Sequence, residues 1–473
     1  MELSQYKTSS KKIRNLLKVE YVKLLLLHIG IAFGIYMYEP LSMLYSSSVF
    51  AYFIFKILQN KNKNNEALMA AAYIAGVEIF WRMTGGVVFY ETGKYAVIVF
   101  LLVGMLFKGT SAKTHPFWLY LLILVPGILV ASLHPDYDEA FRKAVAFNLS
   151  GPVCLGISAV YCYYKKISKR DFQRVLLMLL LPIITNMFYL FFYTPSLQDM
   201  VINIGANYAA TGGYGPNQIA TIMGMGGLLL IIRLFDIRIK LINLIDLILL
   251  GLMSYRAIIT FSRGGVITAM ICAIAFIGVL YYKKDRHEQK QIQFKALLLF
   301  GILFLSWIYT TAESSGLILY RWTSRDAQGR QKEDFTTGRV DLVNTELEAF
   351  YYNPVTGVGV GKAKGYRQEE LGEEIATHNE VTRLLSEHGL LGVLALTILI
   401  SVPILFWLKF KNNYYFLCFM VFWFLTINHS AMRIALPAFV YGLALLYITD
   451  DKWRNRKTMI IEQKPGSVVS CQL

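Results

Sequence analysis

Apolar runs of 15 to 22 residues recur along the whole chain, separated by short polar connectors. Each run can cross a hydrocarbon core, because a transmembrane helix needs roughly 20 apolar residues. The chain is 55% hydrophobic and 16% charged, whereas a soluble protein carries about 25% charge. The sequence therefore predicts an all-α polytopic membrane protein with about 12–14 transmembrane helices.

Fourteen runs qualify as spans if the shortest, which could be re-entrant, are included. They lie near residues 22–38, 41–58, 67–83, 94–107, 117–132, 144–163, 175–193, 218–232, 241–260, 265–282, 296–311, 390–408, 414–428 and 434–449. With this count, every cluster of basic residues in the connectors falls on one side of the membrane. Since Lys and Arg collect in cytoplasmic loops, that side and both termini are expected to be cytoplasmic.

The net charge of +16 follows from these clusters, so we attribute it to membrane topology rather than to nucleic-acid binding. The first apolar run follows a basic segment without a convincing cleavage site, and we expect it to be a retained anchor. The five cysteines show no spacing typical of a zinc site or a disulfide framework.

Four parts follow from this arrangement. Residues 1–311 form an N-terminal transmembrane bundle of about 11 spans, and residues 312–389 form one large periplasmic loop. Residues 390–449 contain the C-terminal transmembrane helices, and residues 450–473 form a cytoplasmic tail. The part of the loop from Phe335 to Gly389 is the only long polar interval between apolar runs, so we expect it to be the catalytic loop.

Helical patterns occur inside this loop. Apolar residues at helical spacing predict a helix over residues 338–352, capped by Thr336 or Thr337 and ended at Asn353. Arg339 would lie in its first turn, where free N–H groups and the helix dipole favour a phosphate. The alternative for Arg339 is an ordinary solvent-exposed side chain.

A second helix start lies at Thr377-His378-Asn379-Glu380, which has the pattern of a capping box with Thr377 as the cap. This predicts His378 at the first helical position, near the outer membrane surface. A neutral imidazole there can accept a proton from a hydroxyl group. The alternative is a histidine that lies at the interface without a chemical role, and we interpret His388 as structural.

Two arginines lie at or near the bend Thr260 to Gly265. Arg263 belongs to the bend itself, and the glycines after it allow a helix or a substrate to approach closely. Arg256 lies seven residues earlier, on nearly the same helix face, and a buried arginine there must pair or line a wet cavity. A structural partner is the default interpretation for Arg256, and Glu78 and Arg82 can pair with each other.

A glycine-rich segment, Gly357-Val-Gly-Val-Gly361, lacks the preceding strand and the spacing of a dinucleotide motif. We interpret it as a turn close to the membrane surface. Lys362 and Lys364 follow it and could contact lipid phosphates, although snorkelling toward the interface is an equally good explanation.

An ordered set of short motifs resembles the O-antigen ligase and O-antigen polymerase superfamily. The resemblance covers roughly Tyr208 to Gly392, and its most specific part begins at Arg263. The motifs are Gly215-Pro-Asn217, Ser262-Arg263-Gly264, Thr337-Gly338-Arg339, Asn353-Pro354 with Gly357-Val-Gly359, and His378-Asn379 with Glu387-His-Gly-Leu-Leu-Gly392. Each motif is weak alone, and their order and their placement on one membrane side carry the resemblance.

The resemblance implies an enzyme of the bacterial inner membrane. It would move a glycan from undecaprenyl pyrophosphate to an acceptor hydroxyl at the periplasmic face. In ligases of this family the acceptor is the lipid A core, and in polymerases it is another lipid-linked repeat unit. The family's catalytic positions fall on Arg263, Arg339 and His378, with the arginines holding the pyrophosphate and the histidine acting on the hydroxyl. We further expect contacts to pyrophosphate or glycan from Arg256, Asn217, Asn379 and Lys362.

The chemistry of this transfer needs fixed positive charge, because pyrophosphate is already a good leaving group. The outer face shows no cluster of aspartates with metal-site spacing, so we predict a metal-independent, inverting transfer without a cofactor. A lipid-linked oligosaccharide transporter is a different hypothesis. Against it, the two halves show no internal repeat and no paired broken helices.

Overall fold

The computed structural model describes residues 2–133, 141–194, 208–326, 328–331, 338–371, 377–411 and 413–449. Side chains are described from residue 16 onward, except at 368–371. The predicted cap at Thr336 or Thr337 and the predicted tail at 450–473 lie outside these residues.

Helices form most of the described chain. They are α1 (Glu2–Met37), α2 (Leu41–Asn60), α3 (Glu66–Met83), α4 (Thr92–Lys108), α5 (His115–Ile123), α6 (Val125–Ser132), α7 (Phe141–Cys162), α8 (Lys169–Tyr193), α9 (Pro216–Asp236), α10 (Lys240–Ile259), α11 (Arg263–Lys283), α12 (Arg286–Glu313), α13 (Leu317–Trp322), α14 (Arg339–Tyr352), α15 (Ala363–Leu371), α16 (Glu380–His388), α17 (Leu390–Lys409), α18 (Phe416–Ser430) and α19 (Ala435–Ala444). Two short strands, β1 (Lys166–Ser168) and β2 (Tyr447–Thr449), complete the fold.

Helices occupy all fourteen predicted spans, with α5 and α6 together forming one span that breaks just before Pro126. By length and composition, nine helical segments of the described chain can cross a membrane. The helices α1, α3, α4, α18 and α19 do not meet that measure in full. The prediction of an all-α polytopic membrane protein is confirmed, with nine spans by this measure against the 12–14 expected.

Helix α9 is at the centre of the bundle, with 94% of an 18-residue window buried by its neighbours. It packs against α8, α10 and α11. Glycines permit these close contacts: a Cβ at Gly224 would lie 2.8 Å from the carbonyl oxygen of Gly265 in α11. Small residues are the usual means by which membrane helices approach closely.

Three buried arginines within the bundle have carboxylate or hydrogen-bonding partners, as the cost of an isolated charge in a membrane requires. Arg82 forms an ion pair with Glu78, which confirms the pairing predicted for these residues in α3. Arg233 of α9 donates to Asp246 of α10 over 3.0 Å. Arg256 is only 3% exposed and donates to the hydroxyl and carbonyl oxygens of Thr194 over 2.7 and 3.0 Å. The default prediction of a structural partner for Arg256 is therefore confirmed.

The end of the bundle that carries the basic connectors contains the small parallel sheet, which the sequence did not predict. β1 pairs with β2 in the register Lys166 to Tyr447 and Ser168 to Thr449. The last predicted span is consequently shorter than expected, because the helix ends at Ala444. The Tyr-Ile-Thr segment of β2 has the β-branched and aromatic composition that favours an extended strand over a helix.

The polar loop forms its own small set of helices, α13 to α16, at the opposite end of the bundle. The predicted helix at 338–352 is confirmed as α14, with Arg339 as its first residue and Asn353 as its C-cap. Helix α16 packs against α14 and α17, so the loop is tied to the bundle through its last helix.

Candidate functional site

Arg263 begins α11 at the bend that the sequence singled out. The Ser262 hydroxyl donates to the side-chain oxygen of Asn217 over 2.7 Å, which joins the start of α9 to the start of α11. Arg263 itself donates to the Ser324 hydroxyl over 2.9 Å. Asn217 therefore holds the Arg263 bend in place, and this contact brings two of the predicted motifs together.

The glycines after Arg263 allow two close approaches. A Cβ at Gly265 would lie 2.5 Å from the carbonyl carbon of Ala220 in α9. A Cβ at Gly264 would lie 2.6 Å from the ring of His429 in α18. The prediction that these glycines admit another helix is confirmed, and the Gly264 contact also places a second histidine beside the bend.

Arg339 is half-buried at the start of α14, where Gly338 takes a left-handed conformation with φ of 74°. Among the residues that the structure describes, none forms a hydrogen bond or an ion pair with its guanidinium group. Burial, and secondly the charge of Arg263, lower the pKa of Arg339 below its usual range. A guanidinium group held in this way is suited to bind a phosphate oxygen pair.

His378 lies directly before α16 and is tied to the segment between α18 and α19. Its carbonyl oxygen accepts from the Ala431 N–H over 3.1 Å, and Arg433 donates to the Thr377 carbonyl over 2.7 Å. Burial, and secondly the nearby charges of Arg433 and Arg339, lower the pKa of His378 to about 4. The imidazole is therefore neutral near pH 7.

The predicted capping box at this helix start is wrong. The cap is Asn379, whose side-chain oxygen accepts from the N–H groups of Val381 and Thr382 over 2.9 and 3.3 Å. Glu380 does not reach back but forms an ion pair with Arg383. Asparagine is as good a cap as threonine, and moving the cap by two residues leaves His378 outside the helix.

Four arginines at the starts of α11 and α14 and on neighbouring segments lie close enough to affect one another's pKa. The charges of Arg263 and Arg339 both lower the pKa of Arg321, after burial, and Arg339 also lowers the pKa of Arg433. Among the described residues, no carboxylate contributes to the pKa of Arg339. We call this group, defined by Arg263, Arg321, Arg339 and Arg433, the arginine cluster.

Three members of this site were not singled out by the sequence analysis: Arg321, Arg433 and His429. Arg321 donates to the Phe261 carbonyl over 3.2 Å, two residues before Arg263. His429 Nε2 lies 3.3 Å from the Thr221 hydroxyl, and Nδ1 lies 2.8 Å from the Leu425 carbonyl oxygen. A polar residue within an apolar span was the available signal for His429, since such residues are costly and usually functional.

Three of the predicted binding residues are buried or use their polar atoms in contacts within the protein. Arg256 donates a hydrogen bond to the Thr194 hydroxyl. Lys362 is only 7% exposed. Lys362 is therefore not an exposed side chain, and its contact with phosphate or glycan stays a prediction. Asn379 uses its side-chain oxygen to cap α16.

The glycine-rich turn packs inside the loop. Gly359 has φ of 93°, and a Cβ there would lie 2.6 Å from the backbone nitrogen of Ala131 in α6. Val358 donates to the Ser386 carbonyl over 2.8 Å, and Val360 donates to the Gly127 carbonyl over 3.0 Å. The turn thus connects α6 to α16, which makes the glycines structural.

Buried ion pairs hold the loop helices together. Arg383 of α16 forms ion pairs with Glu380 and Glu387 on its own helix, and Arg367 of α15 pairs with Glu346 of α14. All five side chains are at most 3% exposed. The Arg367–Glu346 pair joins α15 to α14, and the Thr382 hydroxyl of α16 donates to the same Glu346 carboxylate. Since breaking a buried pair leaves an uncompensated charge, these contacts give α14, α15 and α16 a fixed relative position.

A cavity of about 690 Å³ lies beside the His378 segment. Thr377, Arg367 and Arg383 contribute to its wall, and so do aromatic side chains at the outer ends of α4 and α7. The aromatic residues are Phe89, Tyr90, Tyr95 and Phe147. Exposed aromatic faces of this kind are typical of membrane interfaces and can also stack on sugar rings.

The match to known families falls on the same residues. Residues 248–397 match the family model Wzy_C, described as O-antigen ligase, which is about a third of the 473-residue chain. This stretch includes Arg263, Arg339 and His378. No curated protein and no solved structure matches the chain. The resemblance predicted from the motifs is thus confirmed over this stretch, in which the chain is similar to the O-antigen ligase family.

Proposed function

We propose that this protein is an O-antigen ligase-like glycosyltransferase. It moves a glycan from undecaprenyl pyrophosphate to an acceptor hydroxyl, that of a lipid A core, at the periplasmic face of the bacterial inner membrane. The observation that carries the proposal is the half-buried guanidinium group of Arg339, close to Arg263 and to a neutral His378. The proposed division into a bundle at 1–311, a catalytic loop at 312–389 and C-terminal helices at 390–449 agrees with this site.

The arginine cluster is suited to the donor. Pyrophosphate carries several negative charges, and more charge develops on it as the glycosidic bond breaks. Fixed guanidinium groups stabilise that charge without reorganisation, an effect worth about 10²–10³ in rate for a single donor group. Since four arginines supply the stabilising positive charge, we propose a transfer that needs no metal ion. Activity is therefore expected to persist when a metal chelator is added.

His378 is suited to the acceptor. The acceptor oxygen attacks the anomeric carbon, the bond from that carbon to the phosphate oxygen breaks, and undecaprenyl pyrophosphate leaves with the electron pair. The hydroxyl proton passes to the neutral imidazole. Its pKa of about 4 makes it a weak base in the free protein, but the negative charge of a bound pyrophosphate raises that pKa toward the useful range.

The acceptor can approach through the cavity of about 690 Å³ next to Thr377. Its aromatic residues offer faces for sugar rings, and Thr377 in its wall is the neighbour of His378. This arrangement supports separate places for donor and acceptor. Attack from the side opposite the leaving group inverts the anomeric centre, so we propose an inverting transfer.

The test uses the purified protein in nanodiscs with a labelled undecaprenyl-pyrophosphate glycan. We expect Arg339→Ala and Arg263→Ala to reduce release of undecaprenyl pyrophosphate at least 100-fold, on the order expected for a lost charge donor. Arg339→Lys should not restore the rate, because Lys lacks the bidentate fork. The matched control is Arg330→Ala, since Arg330 is an exposed arginine of the same loop that pairs with Asp326.

Near-normal release in both Arg339→Ala and Arg263→Ala would contradict the proposal. Movement of the labelled lipid across the membrane without release would instead indicate a transporter. In cells, accumulation of lipid-linked polymer after deletion indicates a ligase, whereas a single repeat unit left on the core indicates a polymerase.

A further inference from the structure

A second cavity lies at the other end of the same helices. Helix α9 begins beside the arginine cluster and ends at Asp236, and α11 runs from Arg263 to Lys283. Twenty-one residues of helix span about 30 Å, so the two ends are a membrane thickness apart. The cavity has a volume of about 920 Å³ and is surrounded by the basic connectors, β1 and β2.

The wall of this cavity carries more positive than negative charge. Seven basic side chains face three carboxylates, and the basic residues come from several separate segments. Lys166 belongs to β1, Arg238 to the α9–α10 connector and Lys295 to the third turn of α12. A preference for basic connectors explains why these residues lie on one side of the membrane, but it does not require their side chains to surround one cavity.

The three carboxylates already have partners within the protein. Asp236 receives the Lys169 ammonium over 2.9 Å and the Tyr415 hydroxyl over 2.5 Å. Glu288 receives Arg238 over 3.2 Å and Lys284 over 2.9 Å. Asp171 accepts from the Ser168 hydroxyl over 2.9 Å and pairs with Arg174 over 3.3 Å. Within the described chain, the cavity therefore keeps an excess of positive charge that an anion can neutralise.

Part of the wall is apolar. Phe235 of α9, Leu280 of α11 and Ile292 of α12 contribute to it beside the basic residues. A free phosphate ion gains nothing from such a surface, whereas the glycerol and the first methylenes of a phospholipid do. Basic pockets between membrane helices on the cytoplasmic side are known to suit phosphate-bearing lipid headgroups.

We propose that this cavity binds the phosphate-bearing headgroup of an anionic membrane phospholipid. Lys63, Lys166 and Lys295 contact the phosphate oxygens, and the apolar wall holds the start of the acyl chains. Because the site lies a membrane thickness from the arginine cluster, the proposal is independent of the glycan transfer.

The test measures lipid retained by the full chain after extraction from nanodiscs that contain phosphatidylglycerol and phosphatidylcholine, by native mass spectrometry. We expect retained phosphatidylglycerol to fall at least fivefold in Lys63→Gln/Lys166→Gln, in which both side chains are exposed and replacement leaves the fold intact. In Lys166→Gln/Lys295→Gln, the retained phosphatidylglycerol should fall further. Lys409→Gln/Lys411→Gln is the matched control, because these lysines lie at the same end of the bundle but outside the cavity wall.

Equal retention of phosphatidylglycerol in the first two variants and the control would overturn the proposal. A second arm adds phosphatidylglycerol or inorganic phosphate to separate samples of the protein in detergent and measures the thermal unfolding midpoint. Protection by phosphatidylglycerol alone supports a lipid site, and equal protection by inorganic phosphate overturns the lipid assignment in favour of a free anion.

Discussion

His378 shows how a single residue type takes its properties from its surroundings. Histidine ordinarily titrates near pH 6.5, but this imidazole is partly buried and lies among arginines. Both effects disfavour the protonated form, so its pKa falls to about 4. The same charges that are suited to pyrophosphate therefore keep the proposed base unprotonated before the donor binds.

At the residue scale, removing one of these charges should raise the His378 pKa. We expect Arg339→Gln to move it from about 4 toward the ordinary value, because burial remains but one positive neighbour is lost. Addition of inorganic pyrophosphate to the unaltered protein should also raise it. Nuclear magnetic resonance of the ring-labelled protein measures the titration, and Arg330→Gln should leave it unchanged. A His378 pKa near 6.5 in the unaltered protein would contradict this account.

At the element scale, glycines and buried ion pairs determine how the site helices approach one another. Gly265 lets α9 and α11 touch, and the contact sets where Arg263 begins its helix. The Arg383 network sets where α16 begins and hence where His378 lies. Neither feature touches a substrate in our proposal, yet both place the residues that do.

The α9–α11 contact can be tested with two glycines of the same helix. Gly265→Ala should destabilise the protein by about 1–3 kcal/mol, because the new Cβ overlaps the Ala220 backbone. Gly278→Ala is the control: nothing lies within 4 Å of its Cβ position, and alanine stabilises a helix interior by about 0.5–1 kcal/mol. Thermal unfolding in detergent compares the two, and equal effects would show that the close approach is not needed.

The ion-pair network of α16 gives a second pair of variants. Burial raises the pKa of Glu387 to about 7, so its carboxyl group is partly protonated near neutral pH. Glu387→Gln should therefore cost less than about 1 kcal/mol, since an amide resembles the protonated group and still accepts from Arg383. Arg383→Met should cost about 3–5 kcal/mol, because the buried Glu380 and Glu387 side chains then lose the guanidinium group that both contact.

Thermal unfolding of both variants near pH 7 tests this difference. We expect Glu387→Gln to lose much less stability than Arg383→Met. If the two variants were equally unstable, the Glu387 carboxylate would be fully ionised in the folded protein.

At the scale of the whole molecule, the arginine cluster and the basic cavity lie at opposite ends of one helical bundle. The excess of basic residues around the cavity predicts that this end is cytoplasmic and that His378 is on the outer side. Such a division separates the glycan chemistry from the cytoplasm and leaves the other end free to contact the inner leaflet.

Cysteine labelling tests this orientation. The cysteines of the described chain, Cys154, Cys162, Cys272 and Cys418, are all buried, so their background labelling should be low once Cys471 is changed to Ser. We expect a membrane-impermeant maleimide to label Arg330→Cys in intact spheroplasts. Lys63→Cys should be labelled only after permeabilisation, and the reverse pattern would invert the proposed topology.

Much of the fold followed from local properties of the sequence. Membrane spans are readable because every backbone polar group in a bilayer must be satisfied within a helix, so long apolar runs have few alternatives. The start of α14 and the pairing of Glu78 with Arg82 could also be predicted from the sequence, because both depend on neighbours within one helix. The ordered motifs also indicated Arg263, Arg339 and His378.

Contacts between distant segments were not readable. Lys362 is buried by packing that no local pattern records. The cap of α16 was missed for a local reason instead: Glu380 pairs with Arg383 on the same helix, and Asn379 is the cap. Arg321, Arg433 and His429 join the site only because α13 and the α18–α19 segment fold beside α11. Apolar periodicity acts over a few turns of helix and specifies the spans, whereas the site depends on glycine contacts and ion pairs between segments up to a few hundred residues apart, which exist only once the bundle has packed.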